Sequence, residues 1–442
     1  VYDVRGLYPE EVNEDAARRI GSALVHFLKQ QRGSIKNIVV GRDMRDSSIP
    51  LAQSLIEGIT SSGVNVIDIG VVPTDVTYFA VAKYGYDGSV SVTASHNPAR
   101  YNGFKICREL AVPVGIETGL AQIRDIAMRP PAQGVEHPGK VIEKDIMEDY
   151  RAHVHTFVHK LRPMRIVVDA GNGMAGKTVP VIFEGLPCQI IPLYFELDGN
   201  FPHHEADPLK LKNLKDLQER VRKEKAHLGV AFDGDADRVA FVDEKGEAIK
   251  NDVITALIAR EFLGEEKGAT VIYDLRSSWV VKEEIERSGG KPYREKVGHA
   301  YIKATMRKKN AVFGGELSGH YYFRDNFYAD SGLIAMIEIL NILGRKKVSM
   351  SNLVAPLKKY YSSGEINFTV EDKDAMIDQL ASSFSDGKLD RLDGVTVEYR
   401  DWWFNVRKSN TEPKLRLNVE AKSRELMDGA LKRISGIIEG GK

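Results

Sequence analysis

Three apolar segments along the chain end in polar, turn-forming residues: Ile38–Asp43, Ile166–Gly171 and Val271–Arg276. Uninterrupted β-branched runs of this kind are typical of strands that are buried on both faces of a sheet. Helix-like segments and further strands accompany them, as where Ser48–Thr60 leads into Val64–Ile69. The pattern predicts three related mixed α/β domains, each of which presents one polar loop to a shared central cleft.

The end of the chain has a different pattern, in which strands are grouped with flanking helices. The predicted strands are Ile366–Val370, Val395–Tyr399, Trp403–Val406 and Leu415–Val419, and the predicted helices are Ala375–Phe384 and Arg424–Ile438. This grouping indicates a smaller C-terminal α+β domain. We place the four domains at residues 1–142, 143–252, 253–360 and 361–442, with residues 360–364 as a hinge for the last one.

The charge balance of the chain excludes a global attraction to nucleic acid or membranes. In 442 residues, Lys plus Arg and Asp plus Glu each number 62, and the longest apolar stretch, Gly332–Leu343, is interrupted by Glu338 and Asn341. A membrane helix needs about 20 apolar residues, and an anionic ligand must here be held by local groups. Cys107 and Cys188 show neither disulfide nor metal-ligand spacing. We therefore expect buried thiols and a cytoplasmic protein.

Asp233, Asp235 and Asp237 bring three carboxylates into one short segment. In an extended segment alternate residues point to one side, so we expect these carboxylates to converge. Clustered negative charges need a cation, and oxygen-only ligands favour Mg²⁺, Ca²⁺ or Mn²⁺ over zinc. An EF-hand is excluded, because Arg238 occupies the position that needs glycine and the flanking segments have strand patterns rather than helix patterns. A solvated acidic turn is the remaining alternative.

The segment Thr93–Pro98 places Ser95 beside His96. A lone serine in a turn is usually structural, and neighbours in a strand point apart, so adjacency alone does not indicate a catalytic pair. Near a divalent-metal site the serine has a further use, because an oxygen of phosphoserine can fill the coordination position that three carboxylates leave open. Lys105 follows within reach, either as a solvated charge or as a group that clamps phosphate or moves a proton.

Two further loops carry groups that suit a sugar phosphate. Glu316 and Ser318 lie in the glycine-rich segment 314–320, and a carboxylate beside a hydroxyl suits vicinal sugar hydroxyls. Arg407 opens the segment 407–413, whose guanidinium, hydroxyls and backbone amides suit an oxyanion. Taken singly, each segment is equally compatible with an ordinary turn. A P-loop nucleotide site is excluded, because the pattern G-x-x-x-x-G-K-[ST] is absent.

In their order along the chain, these motifs resemble those of the α-D-phosphohexomutases. The matching segments are 2–6, 93–98, 200–202, 207–208, 233–238, 316–320 and 407–411. The resemblance covers essentially the whole chain, and Tyr101–Lys105 and Glu316–His320 are most similar to the bacterial phosphomannomutase/phosphoglucomutase branch. Leu317 stands where the phosphoglucosamine mutase branch typically has glutamine.

The resemblance implies four domains around a deep cleft, the last of them mobile, and interconversion of hexose 1-phosphate and hexose 6-phosphate with mannose and/or glucose as the sugar. It implies a phosphorylated Ser95, Mg²⁺ held by this phosphoserine with Asp233, Asp235 and Asp237, and hexose 1,6-bisphosphate as intermediate and activator. The candidates for proton transfer and catalysis are Ser95, Arg5, His96, Lys105 and His299. The implied substrate-binding residues are Tyr2, Arg238, Arg276, Lys296, Gly298, His299, Glu316, Ser318, His320, Arg407, Ser409, Asn410 and Thr411.

Several alternatives stay open. Phosphoglucosamine mutase is the alternative within the family, and a metal-dependent sugar phosphatase and a non-catalytic sugar-phosphate-binding protein are alternatives from other classes. A phosphatase has no need of separate loops for the sugar and the distal phosphate. A binding protein would most simply lack the serine or one of the three aspartates. We expect a phosphorylated hexose as the partner, neither nucleic acid nor membrane, and either a monomer or a dimer.

Overall fold

The computed structural model describes residues 2–130, 135–409 and 414–440, and these residues form four β-sheets with flanking helices. Three sheets are mixed and the fourth is antiparallel. The strand of each apolar run noted above lies inside a mixed sheet with a parallel neighbour on both sides. The fold class is therefore confirmed as three related α/β domains and a smaller α+β domain, while the domain boundaries stay a prediction.

The loop that contains Ser95 belongs to the first sheet, where it follows the strand Gly88–Val92. The elements are β1 (Val4–Leu7), α1 (Glu14–Arg32), β2 (Asn37–Arg42), α2 (Ser48–Thr60), β3 (Asn65–Val71), α3 (Thr74–Lys83), β4 (Gly88–Val92), β5 (Tyr101–Arg108), α4 (Leu120–Ala127) and β6 (Val141–Glu143), in the sheet order β1-β5-β4-β2-β3-β6. Strands β4, β2, β3 and β6 run parallel, so β2 and β4 end at the same edge of the sheet. The residues that follow these two strands are consequently brought together.

Helices α1 and α2 cross at two glycines, Gly21 and Gly58. A Cβ atom at Gly58 would lie 2.0 Å from the carbonyl oxygen of Arg18, and one at Gly21 would lie 2.3 Å from that of Leu55. Neither position has room for a side chain, so the two helix backbones are in direct contact over the apolar cluster of this domain.

The second sheet presents the acidic loop on a hairpin. The elements are α5 (Met147–His155), β7 (Met164–Asp169), α6 (Ala175–Phe183), β8 (Cys188–Leu193), α7 (Lys215–Glu224), β9 (Leu228–Phe232), β10 (Val239–Asp243) and β11 (Ala248–Ile249), in the sheet order β11-β10-β9-β7-β8. Strands β9 and β10 are antiparallel neighbours, with Phe232 opposite Val239. Both flanks of the acidic loop are thus strands, which agrees with the exclusion of an EF-hand.

The third sheet supplies the glycine-rich loop between two of its strands. The elements are α8 (Asn251–Glu265), β12 (Thr270–Asp274), α9 (Trp279–Arg287), β13 (Lys291–Glu295), α10 (His299–Lys309), β14 (Phe313–Gly315), β15 (Tyr321–Phe323), β16 (Ala329–Asp330), α11 (Gly332–Lys346) and α12 (Met350–Val354), in the sheet order β13-β12-β14-β15-β16. Strands β14 and β15 are antiparallel, and Glu316–His320 joins them.

The last sheet is antiparallel throughout. The elements are β17 (Tyr361–Phe368), α13 (Lys373–Ser383), β18 (Lys388–Asp390), β19 (Val395–Glu398), β20 (Trp402–Lys408), β21 (Leu415–Ala421) and α14 (Arg424–Gly440), in the sheet order β17-β21-β20-β19-β18. Four of the five residues expected as a hinge begin strand β17, and the hinge itself stays a prediction. Tyr361 and Ser362 pair with β21, and the register then shifts before Glu365, with Gly364 at a φ of 69°.

The apolar core is divided unequally among the domains. One cluster runs from α3 through the second and third domains, whereas the last domain has a separate cluster between its sheet and the helices α13 and α14. Cys107 and Cys188 are buried free thiols, as expected. Among the helices of the described residues, none combines the length and the apolar character that a bilayer crossing requires.

Candidate active site

Ser95 lies in the loop after β4 and is fully buried. Its φ of 52° is in the left-handed region, so the residue is not part of an extended strand. The side-chain Oγ donates to Asp233 Oδ2 at 2.7 Å and lies 3.4 Å from Nδ1 of His96. The expectation that adjacent side chains point apart was therefore wrong for Ser95 and His96, because the backbone turns at the serine.

Asp233, Asp235 and Asp237 converge, but not for the predicted reason. The loop between β9 and β10 is a tight turn in which Ala236 has a φ of 61°, rather than an extended segment with alternating side chains. Oxygens of the three carboxylates lie within 4.8 Å of one another and are buried. Burial and the charges of Asp235 and Asp237 raise the pKa of Asp233 well above its ordinary value. Such a cluster is suited to a cation.

Lys105 provides the positive charge nearest to this cluster. Its Nζ donates to Asp235 Oδ2 at 2.7 Å and also to Asp237 Oδ2, and the side chain is almost completely buried. Burial alone would lower the pKa of Lys105, but the charges of Asp235 and Asp237 outweigh it and raise the pKa. Lys105 reaches the acidic loop from β5 of the first domain. Its predicted proximity to Ser95 arises because both side chains bind carboxylates of the acidic loop.

The donor set fits a hard divalent cation. The Oδ1 atoms of Asp235 and Asp237 are buried and accept no hydrogen bond from the described residues, although His320 Nε2 lies 3.4 Å from the Oδ1 atom of Asp237. A cation that is bound to these oxygens would satisfy them without displacing Lys105, which uses the Oδ2 atoms. All ligand atoms are oxygens, as Mg²⁺ prefers. The acidic loop could therefore bind a metal ion.

Arg5 and His96 flank the serine loop. Arg5 Nη1 donates to Asn97 Oδ1 at 2.9 Å, and its second nitrogen lies 3.4 Å from Asp3 Oδ2. Burial, followed by the charges of Arg238 and Arg5, lowers the pKa of His96 well below its ordinary value. A neutral imidazole next to Ser95 Oγ is thereby favoured.

His299 and Gly298 form the start of helix α10. His299 Nε2 lies 3.4 Å from Asp3 Oδ1, so the helix start faces the N-terminal strand of the first domain. Tyr2 packs edge-on against His299 and donates its hydroxyl to the Val297 carbonyl at 2.6 Å. Gly298 has a φ of 135°, and a Cβ atom there would lie 2.3 Å from the Tyr2 ring. The predicted residues of these two segments are thus in contact.

Glu316 and Ser318, which were predicted to bind the sugar, fix the glycine-rich loop through contacts within the protein. Glu316 accepts from the Gly298 amide at 3.0 Å and from the Tyr322 hydroxyl. Ser318 Oγ lies 3.0 Å from Nδ1 of His320, whose Nε2 lies 3.4 Å from Asp237 Oδ1. His320 therefore connects the glycine-rich loop to the acidic loop.

Arg238 lies between the same two loops. Its backbone amide donates to Asp233 Oδ1 at 3.1 Å, and its Nε donates to His320 Nε2 at 3.3 Å. The Lys296 ammonium lies over the Tyr301 ring, 5.5 Å from the ring centroid. Arg238 is thus placed with the acidic cluster, whereas Lys296 is placed with the helix start at His299.

A carboxylate of the last domain joins three arginines. Glu365 accepts from Arg276 at 3.3 Å and from Arg407 at 2.7 Å, and it lies 3.0 Å from Arg416. Arg276 is also paired with Asp274 at 2.8 Å. Arg276 and Arg407 were both predicted, and Glu365 now links them across the third and fourth domains.

The rest of the predicted phosphate loop is described only in part. The Ser409 amide donates to the Lys414 carbonyl at 2.9 Å, one residue beyond the paired ends of β20 and β21. Asn410 and Thr411 lie outside the described residues.

Several residues that contact the site were missed by the sequence analysis. Arg45 binds the carbonyls of the serine loop, and Thr74 donates to Asp235 through its backbone amide at 3.2 Å and through its hydroxyl. Lys303, fully buried, pairs with Asp330 at 2.6 Å, and Asp330 in turn faces His320. The available signal was positional: Arg45 and Thr74 each follow the carboxyl end of a predicted parallel strand, where site residues collect.

Comparison with known proteins agrees with this geometry. Sequence models of the four phosphoglucomutase/phosphomannomutase domains match the chain in order: α/β/α domain I at residues 1–130, domain II at 147–246, domain III at 250–360 and the C-terminal domain at 365–436. A phosphomannomutase of Vibrio cholerae is 39% identical over 99% of this chain and 97% of the relative. A Xanthomonas campestris protein named for phosphohexose mutases is 40% identical over 99% of this chain and 98% of the relative.

A solved structure shares the complete architecture. The crystal structure of a phosphoglucomutase/phosphomannomutase family protein from Burkholderia thailandensis superposes with a TM-score of 0.90 at 34% identity, over 100% of this chain and 97% of that one. The chain therefore belongs to the phosphoglucomutase/phosphomannomutase family and is an isomerase of the phosphohexomutase type.

Proposed function

We propose that the chain interconverts hexose 1-phosphates and hexose 6-phosphates of mannose and glucose through a phosphorylated Ser95 and a hexose 1,6-bisphosphate intermediate. The observation that carries this proposal is the hydrogen bond of 2.7 Å from Ser95 Oγ to Asp233 in the acidic cluster. Phosphoryl transfer depends mostly on positioning and charge neutralisation, and a hydroxyl beside a cation site provides both. The name of the Vibrio cholerae relative supports mannose among the sugars.

Asp233, Asp235 and Asp237 would hold Mg²⁺ together with the phosphate on Ser95. When bound, Mg²⁺ would neutralise charge on the transferring phosphate. Lys105 adds a positive charge to the cluster through the Oδ2 atoms of Asp235 and Asp237. These side chains come from two domains, so the nucleophile and its counter-charges are aligned by the packing between those domains.

The proposed transfer moves one phosphoryl group in each half-reaction. The bond between phosphorus and Oγ of phospho-Ser95 breaks as a bond forms from that phosphorus to the free hydroxyl oxygen of the hexose monophosphate. The hydroxyl proton passes to a base of the cleft, for which His96 and His299 are the candidates within the site. Lys105, held as an ammonium by Asp235 and Asp237, would assist as a proton donor. The hexose 1,6-bisphosphate then reverses its orientation, Ser95 Oγ takes up the other phosphoryl group, and the released sugar oxygen regains a proton.

The remaining loops would hold the parts of the sugar phosphate that do not react, namely the ring hydroxyls and the phosphate that is not transferred. Glu316 and Ser318 would bind ring hydroxyls that are common to both orientations. Arg407 and Arg276 would bind the phosphate that is not transferred, because a guanidinium pairs bidentately with an oxyanion. Glu365 already joins these two arginines across the third and fourth domains. Closure of the last domain over the sugar would keep water away from phospho-Ser95.

The proposal is tested by ³¹P NMR of the protein with Mg²⁺, catalytic hexose 1,6-bisphosphate and one substrate at a time: mannose 1-phosphate, glucose 1-phosphate or glucosamine 1-phosphate. We expect 6-phosphate signals from the first two, and loss of turnover in Ser95→Ala. Ser34→Ala removes the hydroxyl of an exposed serine and is the matched control.

Any other result of this experiment would indicate a different activity. Release of inorganic phosphate would indicate a sugar phosphatase. Tight binding without conversion would indicate a binding protein. Conversion of glucosamine 1-phosphate alone would replace the proposed sugars with glucosamine, and full activity of Ser95→Ala would refute the phosphoserine.

A further inference from the structure

Arg45 lies at the centre of the serine loop. Its guanidinium donates to four carbonyl oxygens of that loop: Nη2 to Ser95 at 3.0 Å and to Asn97 at 2.7 Å, and Nη1 to Pro98 at 3.0 Å and to Tyr101 at 3.2 Å. The side chain is 1% exposed, so these contacts are removed from water. The segment from Ser95 to Tyr101 therefore surrounds the buried guanidinium of Arg45.

Asp43 fixes the orientation of this cation. Its Oδ2 accepts from Arg45 Nε at 3.2 Å, and its Oδ1 accepts from the Arg45 backbone amide at 3.0 Å and from Ser48 Oγ. A buried charge needs a partner and satisfied hydrogen bonds, and Asp43 supplies the opposite charge. Because Asp43 is itself held at two points, the guanidinium has a defined direction towards the loop carbonyls.

The second domain packs directly against Arg45. The Phe201 ring lies under the guanidinium, with its centroid 4.9 Å from Cζ, and a Cβ atom at Gly199 would lie 2.6 Å from the Arg45 Cα. At Gly234, in the acidic loop, a Cβ atom would lie 2.5 Å from the Ser95 carbonyl oxygen. Thus the side chain that holds the Ser95 carbonyl also forms the contact surface for the domain that carries Asp233.

We propose that Arg45 is a positioning residue for the phosphoryl transfer at Ser95, and that it aligns the serine with the acidic loop by joining the first two domains. The inference rests on the proposed function. Ser95 has a left-handed backbone, which a non-glycine residue adopts only when its surroundings enforce it. Arg45 supplies this restraint through the carbonyl of Ser95 and those that follow. Lysine cannot replace it, because an ammonium lacks the planar fork that reaches four acceptors.

The test compares Arg45→Lys and Phe201→Leu with the wild-type protein and with Arg18→Lys, a change in an exposed ion pair. Three quantities are measured on the full chain: the phosphate on Ser95 after incubation with hexose 1,6-bisphosphate and Mg²⁺, by intact mass; kcat; and KM. We expect kcat of Arg45→Lys to fall about 100-fold, as for a small misplacement of a reacting group, with KM changed less than about threefold. Phosphate uptake should slow in parallel, and Phe201→Leu should show a smaller change of the same kind.

The outcomes separate the two proposals. If the wild-type protein takes up no phosphate on Ser95, the proposed function and this inference both fail. If the wild-type protein is phosphorylated and Arg45→Lys matches it in uptake and kcat, only the role of Arg45 is refuted. A rise in KM with unchanged kcat would also refute it, since that pattern marks substrate binding. If Arg45→Lys does not fold, Phe201→Leu decides, and a wild-type kcat in that variant overturns the coupling.

Discussion

Replacing Lys105 by methionine removes the cation that the chain itself supplies to its acidic cluster. The Nζ atom lies 2.7 Å from Asp235, and Coulomb's law at an effective dielectric constant of about 20 gives about 6 kcal/mol for such a pair. Desolvation of the ammonium offsets part of this attraction. Removal of one partner from a buried ion pair typically costs about 3–5 kcal/mol. We expect the metal-free Lys105→Met variant to lose that amount of unfolding free energy.

The same variant should bind Mg²⁺ more tightly than the wild-type protein. Without Lys105, all three carboxylates lack a counter-charge from that side, and a divalent cation no longer meets a neighbouring ammonium. We expect the dissociation constant to fall at least about tenfold, which corresponds to about 1.4 kcal/mol. Turnover should nevertheless fall by about 100-fold or more if Lys105 takes part in proton transfer.

The assay is urea unfolding with EDTA and with Mg²⁺, combined with titration calorimetry of Mg²⁺. Lys432→Met, which changes an exposed lysine of helix α14, is the control and should match the wild-type protein in both. An unchanged urea midpoint of metal-free Lys105→Met, or weaker Mg²⁺ binding, would refute the assignment of Lys105 as the counter-charge. Near-normal kcat would refute its part in catalysis alone.

Two further predictions concern stability. Burial raises the pKa of Glu338 from 4.5 to about 7. Between these two pKa values the folded chain keeps a proton that the unfolded chain has released. The free energy of unfolding therefore falls by up to about 3 kcal/mol as pH rises from 4.5 to about 7. Urea midpoints from pH 4.5 to 8 should show this loss of stability in the wild-type protein and in Glu219→Gln, an exposed control, and a loss smaller by that amount in Glu338→Gln; equal slopes in all three would contradict the buried acid. Gly58→Ala should destabilise the chain by about 1–3 kcal/mol, because the new Cβ atom would meet the backbone of α1. Gly264→Ala is the control, because a Cβ atom there enters open space on helix α8, and it should stabilise the chain by up to about 1 kcal/mol. Shifts of the same sign in the two urea midpoints would contradict the close helix crossing.

The strands and the loops of the site were predictable because their signals are local. β-Branched runs such as Ile166–Val168 are buried on both faces, and this burial confirms the central strands expected from the pattern. Residues that follow parallel strands collect at one edge, so Ser95 was expected near the other polar loops. The resemblance of the motifs then gave their order and the family.

The contacts between domains were not predictable from local patterns. The acidic loop turns at Ala236, so the convergence of its carboxylates depends on backbone angles that alternation does not describe. Arg45 binds carbonyls 50 to 56 positions away, and Glu365 reaches Arg276 across 89 positions. Such pairs depend on how the sheets pack, and no local sequence pattern links the two partners of each pair. The pairing of Tyr361 with strand β21 was likewise not predicted from the local pattern of the expected hinge.

The hydrogen bond between Ser95 and Asp233 has a genetic consequence. The two residues lie in different domains of one chain, and Gly234 packs against the Ser95 carbonyl, so each cleft is assembled from its own polypeptide. Co-expression of one copy that lacks the serine with another copy that lacks the aspartate yields two kinds of incomplete cleft. Intragenic complementation between lesions at these positions is therefore not expected, and such alleles should fall into a single complementation group.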